Sequence, residues 1–414
     1  MTLATPSHDI CVIGGGPAGL AAALAVASSG ANVTVLAPAM GDPGAINRRP
    51  ADTRTTAILG DGLTLLRNLG VWDDLAAVSA PLTGIRIVDD RGGWLRAPEV
   101  LFQATEMGLA AFGYNVPNEP LRAALLRQVI AHPAITCAET AGVTDVVPDA
   151  QVVTLKTAES QVFQTKLVIA ADGRNSIART AAGIATRAWS YPQVAIATSF
   201  GHARAHGGIS TELHRRSGPL TTVPMPDDVD GPRSSLVWVE TPDAAARLLA
   251  LPDADFAAAL DVHLGGVLGR VRGIGRRGSY SISGLMAVTS GKGRIALAGE
   301  ALHVLPPIGA QGLNLGLRDG AALADATAGV ADPGADAVIA GYARARAADL
   351  VTREIGIDFL NRTLLMDFLP VQALRGLGLH ALANSRQLRR AAMMMGLQAP
   401  GAIPRLMRPL ANAG

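Results

Sequence analysis

A chain of 414 residues has room for one or two domains with cores large enough to enclose a ligand. Apolar residues at 49% against charged residues at 17% exclude a disordered chain, and aromatics at 4% exclude an aromatic-lined nucleic-acid platform. With 36 basic and 34 acidic residues no whole-chain field steers nucleic acid, so any phosphate binding must be local. Cys11 and Cys137 form no CxxC and no disulfide framework, which fits a reducing cytosol.

In chain order, the first feature is an uncharged stretch from Ile10 to Gly41, apolar enough over Cys11 to Ala27 to suggest a membrane span. Its glycines and Pro17 break it into a strand over Asp9 to Ile13, a helix over Pro17 to Ser29 and a strand over Asn32 to Leu36. That is a βαβ unit, and the absence of Lys or Arg in Met1 to His8 argues against a signal peptide. Helical spacing of Leu, Ile and Ala predicts helices over Thr56 to Leu69 and Pro120 to Ile130. Short alternating runs predict strands at Val152 to Leu155, Val162-Phe163 and Leu167 to Ile169. From Tyr191 to Ser283 the chain turns β-rich, as in Ser235 to Val239, with one helical run over Ala244 to Leu264; this predicts a second domain. A buried strand over Arg294 to Ala298 then leads through a Pro-Gly loop into a helix over Leu313 to Ala328. From Val338 onward the chain is helical and rich in Ala, Leu and Arg, and no internal repeat is present.

Three motifs carry chemistry. Gly14-Gly15-Gly16-Pro17-Ala18-Gly19 is a GxGxxG run between a strand and a helix. There Gly14 serves the tight turn, Gly16 the approach of a pyrophosphate, and Gly19 close helix–strand packing, with the helix N-terminus toward the phosphates. A tight strand–helix turn without a ligand is the alternative. The carboxylate that should end the second strand is missing, since that end reads Val35-Leu36-Ala37-Pro38; Asp42 is the candidate substitute. The second motif, Leu167 to Ser176, contains Asp172-Gly173, which is also an ordinary turn. The third, Gly299 to Asp319, passes an acidic strand end, Glu300, and a rigid Pro306-Pro307 loop into a helix whose first amides point back at the strand end. Such an arrangement suits a ligand with an edge that becomes anionic. His303 is a structural histidine or a proton-transfer group; the remaining histidines have no metal-ligand spacing, so no metal is expected. There is no GxSxG and no nucleophile beside a base, so no catalytic residue is assigned.

Taken together, these motifs resemble the group A FAD-dependent aromatic hydroxylases, and within them are most similar to the ubiquinone-biosynthesis hydroxylases. Asp52-Thr53-Arg54, Leu69 to Asp73, Asn118 to Leu125 and Ile357 to Arg362 extend the resemblance over nearly the whole chain. It implies that Gly14, Gly16, Pro17, Ala18 and Gly19 hold the ADP half of noncovalent FAD. It likewise places Arg54 by the flavin-proximal phosphates, Asn118 at a polar cofactor contact, and Asp172 near the diphosphate and the path of NAD(P)H. Glu300, where the family usually has Asp, would bind the ribityl chain. Pro306 and Pro307 would abut the isoalloxazine, and the amides of Gly312, Leu313 and Asn314 would face its pyrimidine edge. Gly309-Ala310-Gln311-Gly312 departs from the Ala-Gly-Gln-Gly of many relatives.

The implied fold is α/β: a Rossmann-like FAD-binding domain (1–75, 112–182, 285–350) interleaved with a β-sheet substrate domain (76–111, 183–284), followed by C-terminal helices (351–414). Only one dinucleotide fingerprint is present, so NAD(P)H would bind transiently. The implied reaction delivers oxygen from O2 to a polyprenylated phenol through a flavin C4a-hydroperoxide. Alternatives are a group A hydroxylase or reductase with another aromatic or isoprenoid substrate, and a non-catalytic FAD-binding assembly subunit of the pathway. From Phe368 to Gly414 there are six arginines and no Asp or Glu, a segment suited to anionic lipid or to packing on the FAD domain. The expected location is cytoplasmic, with peripheral contact at the inner face of the membrane.

Overall fold

The computed structural model describes residues 8–38, 40, 52–90, 98–307, 311–365, 369–397 and 401–409. Among them the strands form three sheets. The first has a parallel centre in the order Ile295–Leu297, Val162–Ala170, His8–Ile13, Val33–Ala37, Ile135–Glu139. The short strand Gly291–Lys292 closes one edge, and Val143–Pro148 and Val153–Thr157 form an antiparallel extension. In register, Ile13 lies beside both Leu36 and Ala170, and Ala170 beside Leu297, so four strands stop at one level. The chain therefore opens a crevice at the carboxyl ends of the strands, the usual ligand site of such sheets.

The helix Pro17–Ala27 is buried on nearly all sides, which explains its membrane-like composition: it is an interior helix and not a span. It packs closely on the helix Gln311–Thr327, because Gly320 there lies against the Ala22 backbone, where a Cβ would approach to 2.8 Å. The helix Asn118–Ala131 covers the same face of the sheet. No helix among the described residues is long and apolar enough to cross a membrane.

The second sheet runs His303–Val304, Gly278–Ala287, Thr186–His202, Gly231–Glu240, Pro219–Asp228, Ile209–His214, Gly84–Asp89, Val100–Gln103. It is antiparallel except where Ile209–His214 meets Gly84–Asp89. One face packs Phe200 and Trp238 beneath helices Pro242–Ala250 and Asp253–Leu264, the second of which contributes Phe256 to the same cluster. Leu285 to Ala287 and His303–Val304 pair in this sheet, while Ala287 packs with Val168 and Leu297 of the first one.

Two element assignments change. The residues expected to begin a helix at Thr56 form a strand, Thr55–Leu59, and the helix starts at Gly60. β-Branched Thr55, Thr56 and Ile58 suit extended backbone, and pairing with Gly113–Pro117 outweighs the local helical spacing. The run Ala244 to Leu264 is two helices, because Pro252 caps the second at Asp253.

Candidate functional site

The glycine turn sits at the crevice floor. The Gly14 amide donates to the Leu36 carbonyl at 3.0 Å, and its φ of +122° belongs to glycine. A Cβ at Gly14 would collide with the Ala171 carbonyl, and one at Gly19 with the Gly14 carbonyl. Gly16 differs: a Cβ there would meet no protein atom within 4 Å. Internal packing therefore does not require glycine at 16, whereas a phosphate approaching the N-terminus of Pro17–Ala27 does. Pro17 occupies the first turn, where its missing N–H costs nothing, and a Cβ on Gly299 or Gly316 would crowd the Ala18 methyl at 2.9 or 3.0 Å. Arg122 donates from Nε to the Gly15 carbonyl at 2.7 Å and holds the turn from behind. Sequence reasoning passed over Arg122; its one signal is an arginine among apolar residues in Leu121 to Leu126.

Asp172 and Glu300 follow the strand ends on the same rim. Asp172 Oδ2 accepts from the amides of Ile177 (2.8 Å) and Ala178 (3.3 Å), while Oδ1 is buried with no hydrogen-bond partner. Glu300 is exposed between buried Gly299 and Ala301, and its carboxylate is near enough to Arg54 to favour that residue's charged form. Ala37 is buried and offers no polar atom, and Asp42 lies outside the described residues.

Above the rim, Arg54 makes a two-pronged pair with Asp52, from Nε and Nη2 at 2.8 Å each. Asn118 Nδ2 donates to Asp52 at 3.1 Å, and Thr56 donates to Asn118 Oδ1 at 2.8 Å. Burial pushes the Asp52 carboxyl up, but Arg54 and Asn118 outweigh it and hold it below the usual carboxylate range. The hydrogen bond to Asp52 in turn raises Arg54. The Arg54 guanidinium lies 5.9 Å from the ring centre of Tyr280, whose phenol burial pushes up to about 12. Tyr280 belongs to the face of the second sheet opposite the helices, with Tyr191, Val237, Val239 and Ile282. This apolar wall meets the crevice at Arg54.

The third side is the N-terminus of Gln311–Thr327, which carries Gly312, Leu313 and Asn314. Asn314 pins it to the Thr55–Leu59 strand: Oδ1 accepts from the Leu59 amide (3.0 Å) and Nδ2 donates to the Ala57 carbonyl (2.7 Å). The Asn314 side chain is thus committed to the fold, while Gly312 is exposed. Pro306 is buried and Pro307 half-buried ahead of this helix; Gly309 and Ala310 lie outside the described residues.

Beneath that loop is a buried ionic chain. His303 Nε2 lies 2.8 Å from Asp319 Oδ2, which also accepts from the Gly299 amide at 3.0 Å. Arg346 bridges Asp319 and Asp349 at 2.6 Å each. Asp349 also pairs with Arg353 at 3.1 Å, and Arg353 reaches Gln311 Oε1 at 2.6 Å. Burial would raise the Asp319 carboxyl, but Arg346, His303 and the Gly299 amide overcome this and hold it low. Sequence reasoning found His303 but not Asp319, Arg346 or Asp349 as its companions, because they come together only when two helices pack. No cluster suited to a metal occurs among the described residues.

These residues fit FAD: a pyrophosphate cradle open at Gly16, an exposed carboxylate at Glu300, an orphaned carboxylate oxygen at Asp172, and helix amides at the far end. The comparisons agree. The FAD binding domain family matches residues 7–353. The ubiquinone hydroxylase UbiL of Rhodospirillum rubrum is 37% identical over 407 residues, covering 97% of this chain and 92% of that protein. The 3-demethoxyubiquinol 3-hydroxylase of Escherichia coli is 30% identical over 394 residues, covering 94% and 98%. In fold, the chain is similar to p-nitrophenol 4-monooxygenase PnpA from Pseudomonas putida, with a TM-score of 0.76 at 18% identity, over 95% of this chain and 99% of that one. Full-length likeness of this kind, converging with a crevice shaped for a dinucleotide, makes this chain a member of the FAD-dependent aromatic hydroxylases of the ubiquinone family.

Proposed function

We propose that this protein hydroxylates the aromatic ring of a polyprenylated phenol in ubiquinone biosynthesis, with NAD(P)H as transient reductant and O2 as co-substrate. The observation that carries this is the 37% identity to a ubiquinone hydroxylase along 97% of the chain. Overall, one oxygen atom enters the ring and the other leaves as water, with two electrons from NAD(P)H and one proton taken up. Bound FAD supplies the oxygen activation. The chain's own residues supply the rest. Gly16 and the first turn of Pro17–Ala27 receive the diphosphate, and Glu300 orients the ribityl chain. The amides of Gly312 to Asn314 would face the pyrimidine edge of the flavin and would favour negative charge there. The wall of Tyr191, Val237, Tyr280 and Ile282 orients the substrate ring and excludes water. The test is the quinone-intermediate profile of cells lacking the protein: an intermediate short of one ring oxygen should accumulate and disappear when the wild-type gene is restored. An unchanged profile would remove the pathway, and purified protein whose NAD(P)H oxidation ignores phenolic substrates would favour an assembly role.

We also propose that the substrate is reached from anionic lipid through the last long helix, Arg386–Leu397. Among the described residues, three of the six arginines make internal side-chain contacts instead: Arg389 pairs with Glu106 at 3.1 Å, Arg405 donates from Nη2 to the Ser29 hydroxyl at 3.1 Å, and Arg408 donates from Nε to the Ile403 carbonyl at 2.9 Å. Leu388, Ala391, Met394 and Met395 are exposed on the outer side of the helix, with exposed Arg386 and Arg390 beside them. Its other side buries Met393 in a cluster with Val100 and Phe102 of the substrate-domain segment 76–111 and with Phe112 at the start of the next FAD-domain segment. Each exposed arginine contributes on the order of 1 kcal/mol near an anionic surface. Reversing Arg386 and Arg390 to Glu should therefore abolish co-sedimentation with phosphatidylglycerol vesicles while flavin content stays unchanged.

A further inference from the structure

The second strand ends without the carboxylate that a dinucleotide fold uses to hold the adenosine ribose. Ala37 stands there, buried, and carries only a methyl group. The neighbouring parallel strand Ile135–Glu139 puts an acid at the same level: Glu139 is the register partner of Ala37, at the carboxyl end of its strand. Laterally paired residues of a sheet project to the same face. Here that face is the one bearing the glycine turn, because a Cβ on Gly15 would lie 2.8 Å from the Ala37 Cβ. Burial agrees, since Ile135 and Cys137, four and two positions before Glu139, pack in the cluster that holds Val33, Val35, Ala37 and the first helix. Glu139 itself is exposed, beyond the point where that packing ends. Moving the acid from the second strand to the next displaces it by about 4.8 Å, a span that an extended glutamate side chain covers.

We propose that Glu139 is the ribose-binding carboxylate of this protein, accepting hydrogen bonds from the adenosine hydroxyls of FAD in place of an acid at position 37. The assignment rests on the FAD reading of the crevice and concerns one end of it. It requires a glutamate-dependent preference for ribose hydroxyls, which a structural role for Glu139 does not.

The test strips flavin from the full-length protein and reloads it with FAD or with an FAD analogue whose adenosine ribose lacks both hydroxyls. Wild type should bind the analogue about tenfold or more weakly, the loss expected for a charge-assisted hydrogen bond. Glu139→Ala and the isosteric Glu139→Gln should bind both ligands nearly alike, close to the wild-type affinity for the analogue. A Glu139→Gln protein that keeps wild-type FAD affinity, or that still discriminates the two ligands as wild type does, overturns the assignment alone. Failure of wild type to bind FAD at all would overturn it together with the cofactor reading.

Discussion

Three glycines in one turn answer to different constraints, and substitutions separate them. Gly14→Ala forces a side chain onto the Ala171 carbonyl at a positive φ, so the fold itself should lose about 3 kcal/mol or more with or without flavin. Gly16→Val meets no protein atom close to its Cβ; the flavin-free protein should unfold at nearly the wild-type temperature yet retain no FAD. If both variants lost stability equally in the absence of flavin, the cradle at Gly16 would be a packing feature. Asp319 is the residue on which the ionic chain converges. Asp319→Asn leaves Arg346 buried beside a neutral amide and should cost about 3–5 kcal/mol in urea unfolding at pH 7. Its carboxyl is held below the unfolded value, so the stabilisation is present above the unfolded pKa of about 3.9 and is lost as pH falls through the folded one. Stability of the variant should accordingly depend less on pH in the acid range than that of wild type.

At the scale of elements, the site depends on how the Gln311–Thr327 helix is moored. Asn314 supplies both hydrogen bonds that tie its first turn to Thr55–Leu59. Asn314→Ala would leave the Leu59 amide and the Ala57 carbonyl unpaired, a loss of about 1–3 kcal/mol. A lowered unfolding temperature should therefore accompany faster flavin release on dilution; flavin release at the wild-type rate would show that the mooring is irrelevant to the cofactor. The spacing of Leu, Ile and Ala from Thr56 onward fits a helix as well as this strand. Only its partners, Gly113–Pro117 and Asn314, decide for the extended form.

At the scale of the molecule, the cofactor site joins parts that are far apart in the chain. The glycine turn lies in the first sheet, Arg54 just before and Asn118 just after strands of the small three-stranded sheet (Thr55–Leu59, Gly113–Pro117, Ala80–Pro81), and Gly312 to Asn314 at a distant helix. Thr55 and Ser235 hydroxyls meet at 2.8 Å, and Asn115 donates to the Pro224 carbonyl at 2.8 Å, which joins the small sheet to the second one. A ligand spanning these parts should stabilise the whole fold. FAD at 100 times its dissociation constant should add about 2.7 kcal/mol, seen as a concentration-dependent rise in the unfolding temperature. The same titration on Gly16→Val should give a flat line, and a flat line for wild type would contradict a spanning site.

What the sequence determined by itself was the set of local rules. A glycine run between a β-branched strand and an alanine-rich helix specifies a turn through short-range sterics alone, and Glu300, Pro306 and the helix after them lie within one short segment. The interior helix Pro17–Ala27 was likewise readable from its glycines and proline. Tertiary structure decided whatever depends on register and on packing between distant elements. Glu139 acquires its place only when its strand aligns beside Ala37, and Arg122 only when its helix crosses behind Gly15. Arg389 left the pool of surface cations only when Glu106 was brought to it. Charges and carboxylates look alike along a chain; what each one does is set by the neighbour it meets, and backbone pairing, not spacing, chooses that neighbour.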